Sequence, residues 1–268
     1  MIPNGQFFYS SSFSGGGVPT SSNATVQAWL NKIGVDGYTY PSQSKVDIYT
    51  TAWDYADAQN LTSQFDLVGL LKVENQNLCK VPFIHSGGSG KIFDLVDSPI
   101  FTANNGLKGS GLQGYLDTKY SPTTDGINYT LNSACIGVFV SDNLAIDAPV
   151  IDSGNDNYGL NSLIFPRTTS NTLDGQINND DFNRVSQSNL NSIGFFSVKR
   201  INASSVSVYK NGILQSSGAG TTAADSMPTY NVTILFSGVY TGNVSFLFAG
   251  NGAIDQAKLN TFVNLLLL

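Results

Sequence analysis

Side chains able to carry out catalysis are scarce in this chain. Glu74 is the only glutamate and His85 the only histidine in 268 residues. A glycosidase built on two glutamates is therefore excluded, and most of the aspartates that might replace them lie in turn sequences. A serine hydrolase would have to use His85, but no Gly-x-Ser-x-Gly motif presents a nucleophile. We predict a protein that is not an enzyme, with no catalytic and no cofactor-binding residues.

The cysteines give no sign of a metal centre. Cys79 and Cys135 are far apart in sequence and are the only two. Multi-histidine metal sites are impossible with one histidine, and structural zinc needs more thiols than are present. We predict no metal ligands and interpret the cysteines as two buried free thiols, with one disulfide between them as the alternative.

Three polar segments resemble ligand loops. Asp152 to Asn157, including Asp156, is rich in oxygen ligands that suit calcium, but it lacks the spacing of an EF-hand, so a plain turn is the preferred interpretation. Asn178 to Asp181 is interpreted as a similar turn. Gly87 to Lys91 lacks the spacing of a phosphate-binding loop and is predicted to be a loop between strands.

Tyrosines in polar sequence are the candidates for stacking against sugar rings. They are Tyr38, Tyr40, Tyr129 and Tyr158. Aromatic side chains of this kind pack into a core more often than they bind a ligand. The sequence does not choose among them.

The composition excludes several classes of partner. Charged residues are 12% of the chain and the net charge is −6. The lysines and arginines are scattered, so no basic stripe is available to neutralise phosphates, and we predict no nucleic-acid partner. The start of the sequence has no basic and apolar segments typical of a signal peptide, and no apolar run is long enough to span a membrane. We predict no membrane partner.

The sequence signals for the strands and helices that would position a site are clearest near the C-terminus. Asn211-Gly212 supplies the two positive-φ residues of a hairpin turn, with Tyr209 opposite Leu214. Two further strands follow, the first with Val232, Ile234 and Phe236 in alternation and the second with Val244, Phe246 and Phe248. Asp255 is the expected N-cap of a final helix, whose apolar stripe is Leu259, Phe262, Val263 and Leu266.

The N-terminal part has a different pattern. Residues 1–22 are rich in Gly, Ser and aromatics and are predicted to be an extended arm, with Phe7, Phe8, Tyr9 and Phe13 as interface anchors. Residues 23–60 are predicted to be a helical hairpin. Its first helix is capped by Ser22 or Asn23, and its second helix starts at Pro41-Ser42. The buried face of the first helix is expected to be Val26, Trp29, Leu30 and Ile33.

From Phe65 onward, short strands alternate with turn clusters, which predicts a β-sandwich. We assign residues 61–268 to this domain. Antiparallel strands closed by one short helix are similar to the end of a concanavalin A-like, laminin-G-like jelly roll. The predicted fold is therefore mainly β, an antiparallel jelly-roll sandwich with a small N-terminal helical hairpin and a short C-terminal helix.

A series of blocks resembles bacteriophage and prophage structural proteins with a laminin-G-like domain. The blocks are Ser98–Phe101, Asn105–Gly111, Gly114–Pro122, Leu131–Val140, Ser192–Arg200, Val208–Gly212 and Phe248–Asp255. The resemblance implies a virion component, in a tail fibre, a receptor-binding assembly or a head decoration. The implied partners are other virion proteins, copies of the same chain and a host-surface glycan. This family carries no agreed catalytic motif.

The leading hypothesis is thus a virion structural protein that acts by assembly and surface binding, located in the virion. A carbohydrate-binding receptor-recognition module is the first alternative and is compatible with it. A hydrolase of bacterial surface glycans is the second, and the single glutamate and histidine argue against it.

Overall fold

Four helices accompany the sheets in the computed structural model. It describes residues 17–111, 114–154, 161–179, 184–219, 224, 226–235 and 240–268. The helices within these ranges are α1 (Ala24–Val35), α2 (Gln43–Ala58), α3 (Pro122–Asp125) and α4 (Gln256–Leu266), with 3-10 turns at Thr62–Gln64 and Leu78–Lys80.

The first sheet is antiparallel and has nine strands among the described residues. Its main path runs β14-β13-β12-β7-β16-β1-β2, with β5 beside β16 and β4 beside β5. The strands are β1 (Phe65–Leu70), β2 (Ile84–His85), β4 (Ile100–Thr102), β5 (Gly106–Lys108), β7 (Ala134–Val140), β12 (Gly194–Asn202), β13 (Ser205–Lys210), β14 (Ile213–Ala219) and β16 (Asn243–Gly250).

The second sheet has seven described strands, again antiparallel, in the order β11-β10-β9-β8-β15-β6-β3. The strands are β3 (Asp94–Val96), β6 (Tyr115–Asp117), β8 (Ile151–Asp152), β9 (Asn161–Phe165), β10 (Thr172–Asn179), β11 (Val185–Ser188) and β15 (Thr233–Ile234). A Cβ added at Gly175 on β10 would lie 2.4 Å from Val208 and 3.1 Å from Val198 of the first sheet. The two sheets therefore stack face to face, and the predicted antiparallel jelly-roll sandwich is confirmed.

The late hairpin forms as the sequence predicts. Asn211 has φ +51° and Gly212 φ +77°, the left-handed conformations that a tight hairpin turn needs. Tyr209 pairs with Leu214 across the two strands. A Cβ at Gly212 would lie 2.8 Å from the Gln256 carbonyl oxygen, so glycine also permits the close approach of the turn to α4.

The C-terminal helix covers the face of the first sheet that points away from the second. The Asp255 side chain accepts hydrogen bonds from the backbone N–H groups of Ala257 and Lys258, which confirms the predicted N-cap. The predicted apolar stripe of Leu259, Phe262, Val263 and Leu266 is buried. Because α4 covers β16, all the residues of that strand are buried rather than alternating in exposure.

The strand predicted around Val232 to Phe236 is shorter than expected. Only Thr233–Ile234 is assigned to a strand within the described residues, and Phe236 lies outside them. Leu235 has φ +68°, which a bulky side chain rarely adopts, and this ends the extended backbone.

The predicted helical hairpin is present and packs on the sandwich. Asn23 caps α1 through hydrogen bonds from the Thr25 and Val26 N–H groups. The expected buried face of α1 is confirmed, and Trp53 of α2 contacts Phe262 with ring centroids 5.0 Å apart. The buried residues of the helices and sheets form one continuous core. The predicted boundary near residue 60 is thus a change of secondary structure within a shared core.

The end of the predicted arm contacts α2. The Thr20 N–H donates to the Gln43 side chain at 3.1 Å, and the Ser21 and Thr50 hydroxyls are 2.5 Å apart. The aromatic anchors Phe7, Phe8, Tyr9 and Phe13 lie outside the described residues. Within the described ranges, no helix combines the length and the apolar character needed to cross a bilayer.

Candidate functional site: the outer face of the second sheet

Strand register divides the second sheet into an interior and an outer face. Residues paired directly across antiparallel strands point to the same side of a sheet, and neighbours along a strand point to opposite sides. Because Gly175 faces the first sheet, its partners across the sheet do so as well. This interior row is Leu95, Leu116, Ile234, Ile151, Ile164, Gly175 and Val185.

The adjacent row points away from the first sheet. It crosses six strands and consists of Asp94, Asp117, Thr233, Asp152, Leu163 and Gln176. Of these, Asp94 is exposed and Asp117 and Asp152 are partly exposed, whereas Thr233, Leu163 and Gln176 are buried. On the other side of the interior row, the outer positions include Val96 with Tyr115, and Phe165 with Asp174 and Ser186. We call the surface made by these two rows the outer face. It carries four aspartates, three of which lie in the first of these rows.

A lysine joins two of the aspartates. Lys119 Nζ lies 2.7 Å from Asp94 and 2.8 Å from Asp117. Hydrogen bonds to Asp117 and then to Asp94 raise the pKa of Lys119, so it remains a cation. The Asn231 amide also donates to Asp117 at 3.0 Å. This end of the outer face is an ordered set of carboxylates with their donors.

Asp152 lies in the middle of the outer face. Its carboxylate accepts a hydrogen bond from the Gly154 N–H at 2.7 Å, as in an Asx turn. The Thr233 hydroxyl donates to the backbone carbonyl of Asp152 at 3.2 Å. The rest of the segment that the sequence suggests for calcium, residues 155–157 including Asp156, lies outside the described residues. Among the residues the structure describes, no group of three or more acidic, cysteine or histidine side chains is arranged to hold a metal.

The far end of the outer face combines a cation, an aromatic ring and a carboxylate. The Arg184 guanidinium lies 4.3 Å from the centre of the Phe165 ring, which is 6% exposed. This contact is a cation–π interaction and covers the ring. Ser186 donates to Asp174 at 2.8 Å, and both side chains reach solvent. The groups open to a ligand here are therefore donors and acceptors rather than a bare aromatic platform.

The solvent-accessible side chains of the outer face lie at its two ends and at Asp152, and they place hydrogen-bond acceptors next to donors. Carboxylates accept only, guanidinium and ammonium groups donate only, and hydroxyls and amides do both. Such a surface suits a neutral ligand rich in hydroxyl groups, since each hydroxyl both donates and accepts. A phosphate-rich ligand would need an excess of cations, and the described residues of this face carry more carboxylates than cations.

His85 is used inside the structure. Its Nδ1 accepts from the Gly87 N–H and its Nε2 donates to the Thr118 carbonyl, both at 3.1 Å. Burial lowers the pKa of His85, which favours this neutral form. With both nitrogens engaged, a catalytic role would require these two bonds to break. The segment after it, Gly87 to Lys91, is a loop between β2 and β3, as predicted.

Glu74 holds the start of α2. Its two carboxylate oxygens accept from the Ser42 N–H and from the Ser42 hydroxyl, each at 2.7 Å. Ser42 is the N-cap of α2 and makes no capping bond of its own. The only glutamate therefore stabilises the start of a helix.

Cys79 and Cys135 are both buried and both free, which confirms the preferred interpretation. Burial raises the pKa of each thiol to about 12. Thiolate is the reactive form, so neither side chain is prepared for nucleophilic chemistry in the folded protein.

The candidate sugar platforms are packing residues wherever the structure describes them. Tyr129 is 1% exposed, and its hydroxyl is bonded to Ser162 at 2.6 Å and to Asn178 at 2.7 Å. Tyr38 and Tyr40 pack partly buried against the core. Tyr158 lies outside the described residues.

The turn predicted at Asn178 to Asp181 is wrong for its first two residues. Asn178 and Asn179 end the strand β10, and both are buried. Asn178 has φ +52°, and its amide donates to the carbonyls of Thr130 and Leu131. Its side chain thus fixes a neighbouring loop, a function that turn composition does not reveal. Asp180 and Asp181 lie outside the described residues.

Sequence reasoning missed the outer face. Asp94, Asp117 and Asp152 come from three short strands far apart in sequence, and strand pairing alone aligns them. The one local signal is alternation, as in Tyr115-Leu116-Asp117, where an apolar residue stands between two polar ones.

The stacked antiparallel sheets place the chain in the class of jelly-roll-like β-sandwiches. No protein-family model and no curated protein sequence matches the chain.

Two solved structures have a similar fold. Trypanosoma rangeli sialidase is similar with a TM-score of 0.51 and 11% identity, over 82% of this chain and 39% of the sialidase. The receptor binding domain of botulinum neurotoxin C/D mosaic serotype is similar with a TM-score of 0.51 and 12% identity, over 75% of this chain and 51% of that domain. The chain therefore spans about half or less of either protein, and at these identities the likeness shows the fold alone.

Proposed function

We propose that this protein is a non-catalytic glycan-binding module and that the outer face of the second sheet is its ligand surface. The observation that carries the proposal is the alignment of Asp94, Asp117 and Asp152 in one row across the sheet. The proposed ligand is a neutral, hydroxyl-rich glycan, because the face mixes acceptors and donors at close spacing.

The position of the outer face supports this assignment. α4 covers the outside of the first sheet, through contacts such as that of Phe262 with Phe246. No described helix covers the second sheet in the same way. One of the structurally similar proteins is a receptor binding domain, so this sandwich is compatible with recognition of a surface.

The proposed setting is a bacteriophage particle, in which the module would bind a host-surface glycan. This part rests on the ordered blocks that resemble phage structural proteins, from Ser98–Phe101 to Phe248–Asp255. It includes contacts with other virion proteins and with further copies of the chain. Genes for tail or head proteins next to its own gene would support the setting, and a neighbourhood of unrelated metabolic genes would contradict it.

The absence of catalysis is the second part of the proposal. His85 and Glu74 are each engaged in bonds that stabilise the fold, and they leave no general acid or base of those types for a ligand. Incubation with bacterial polysaccharides and a reducing-end assay tests this part. Turnover that survives purification to homogeneity would contradict it.

Binding is tested with a glycan array followed by calorimetry on the best ligand. Asp152→Ala and Asp174→Ala each remove a carboxylate from the outer face, and loss of a charge-assisted hydrogen bond costs about 1.5–3 kcal/mol, roughly 10- to 150-fold in Kd. Asp47→Ala is the matched control, since Asp47 is an exposed aspartate on α2. Equal affinity in all three variants would show that the ligand binds elsewhere.

A further inference from the structure

One side of the sandwich ends in two edge strands, each paired on one side only within the described residues. β14 is the last strand of the first sheet and β11 the last of the second, and the two strands contact each other. β14 pairs with β13 on one side. On its other side, no backbone hydrogen bond joins it to any described residue. Among the residues that the structure describes, this free edge therefore has backbone donors and acceptors with no backbone partner.

The opposite side of the sandwich is protected. Its terminal strands are β2, with two residues, and β3, with three. β3 also carries Asp94, which is paired with Lys119. Short strands and charges are the usual means by which proteins prevent edge-to-edge pairing. By contrast, β14 has seven residues, and neither it nor β11 contains a charge or a proline.

The free edge has a regular part. Gln215 is an extra residue in the pairing of β14 with β13, because Leu214 pairs with Tyr209 and Ser216 with Val208. This bulge leaves Ser216–Ala219 as the longest run of uninterrupted pairing in β14. A strand added to the edge would align with that part.

Large exposed apolar side chains lie at both ends of this edge. Ile213 is 67% and Leu214 is 51% exposed at the hairpin end, and Ile201 is 55% exposed where β12 turns into β13. Leu190 and Ile193 are also exposed, in the connection that Lys210 holds through Asn189 and Asn191. Five of the eleven large apolar side chains exposed within the described ranges therefore flank β11 to β14.

We propose that this edge is the contact between two copies of the chain, with β14 of one protomer antiparallel to β14 of its partner. In a two-fold contact the residues next to the axis face their own copies, so a charge there would meet a like charge, and an edge without charges avoids that repulsion. Antiparallel pairing also brings the Ile213–Leu214 end of one protomer toward the Ile201 end of the other. The dimer extends the first sheet across both protomers and leaves both outer faces free.

The mass of the full chain in solution tests the proposal. Sedimentation velocity over a micromolar concentration series is expected to show a dimer of about 57 kDa, twice the 28.5 kDa of the chain. Ile213→Lys with Leu214→Lys should weaken the dimer at least about tenfold, a change of about 1.4 kcal/mol. Ile127→Lys is the matched control, since Ile127 is 72% exposed elsewhere and its replacement should leave the mass unchanged. Circular dichroism confirms that each variant is folded.

A second variant tests the strand pairing itself. Ser217→Cys places a thiol in the regular part of the edge. With the two-fold axis beside residue 217, the two opposed Cα atoms lie about 4.5–5.5 Å apart, within disulfide range. Mild oxidation should yield a covalent dimer, and Ser44→Cys on α2 should not. A wild-type chain that stays monomeric, a dimer unaffected by the lysine variants, or equal cross-linking of both cysteine variants would overturn the proposal.

Discussion

Replacing Asp66 by alanine removes the acceptor that attaches the connection between α3 and β7 to the first sheet. Asp66 is fully buried on β1. Its carboxylate accepts from the backbone N–H groups of Ile127, Asn128 and Tyr129, the last at 2.7 Å, and from the Tyr120 hydroxyl at 3.3 Å. Tyr129 in turn reaches β10 of the second sheet, so this carboxylate helps to hold the two sheets together.

The expected cost follows from the donors that lose their partner. Tyr129 and Tyr120 are both buried, so water does not replace the carboxylate for these two. A hydrogen bond to a charged group contributes about 1.5–3 kcal/mol, which gives a loss of about 3–6 kcal/mol in the free energy of unfolding. For a chain of this size that corresponds to a fall in Tm of about 6–24 °C.

Thermal and urea unfolding followed by circular dichroism measure this loss. Asp66→Asn keeps one acceptor oxygen and should lose about half as much as the alanine variant. Asp47→Ala removes an exposed aspartate whose partner is Gln43, and it should change Tm by less than about 2 °C. If Asp66→Ala falls within the range of that control, the reasoning about buried acceptors is refuted.

Three further outcomes follow from the buried groups. Phe262→Ala should lower the free energy of unfolding by about 3–5 kcal/mol in urea titrations, because the side chain is fully buried between α2 and the first sheet. Cys79 and Cys135 should resist a thiol reagent at pH 8 and react fully in urea, since burial raises the pKa of both to about 12; fast labelling of the native chain would contradict this. His85 has a lowered pKa when folded, so the unfolded chain binds its proton first, and stability should fall as pH drops below about 6.5. His85→Gln should reduce that fall in Tm, and an identical pH profile would count against it.

The helices and the late hairpin are predictable from sequence because their signals are local. Asn23 and Asp255 stand directly before their helices, and their side chains need only reach the next few N–H groups. Asn211-Gly212 likewise sets the hairpin turn through its own backbone conformation.

The outer face is not predictable in the same way. Asp117 and Asp152 lie in the same row of the sheet because each pairs with Thr233 of β15, one on either side of it. These pairings join residues that are far apart in sequence. The turn expected at Asn178 failed for a related reason. Its composition suits a turn, whereas the carbonyls of Thr130 and Leu131, which bind its amide, come from another part of the chain.

An NMR titration of the folded protein with the glycan selected on the array tests the central claim most directly. Backbone amide signals that shift should map to the outer face, at Asp94, Asp117, Asp152 and Asp174, and the glycan should be recovered intact. Signals around α4 and the hairpin turn at Asn211 should stay in place. Shifts confined to the first sheet, or cleavage of the glycan during the titration, would contradict the assignment of a non-catalytic binding site to the second sheet.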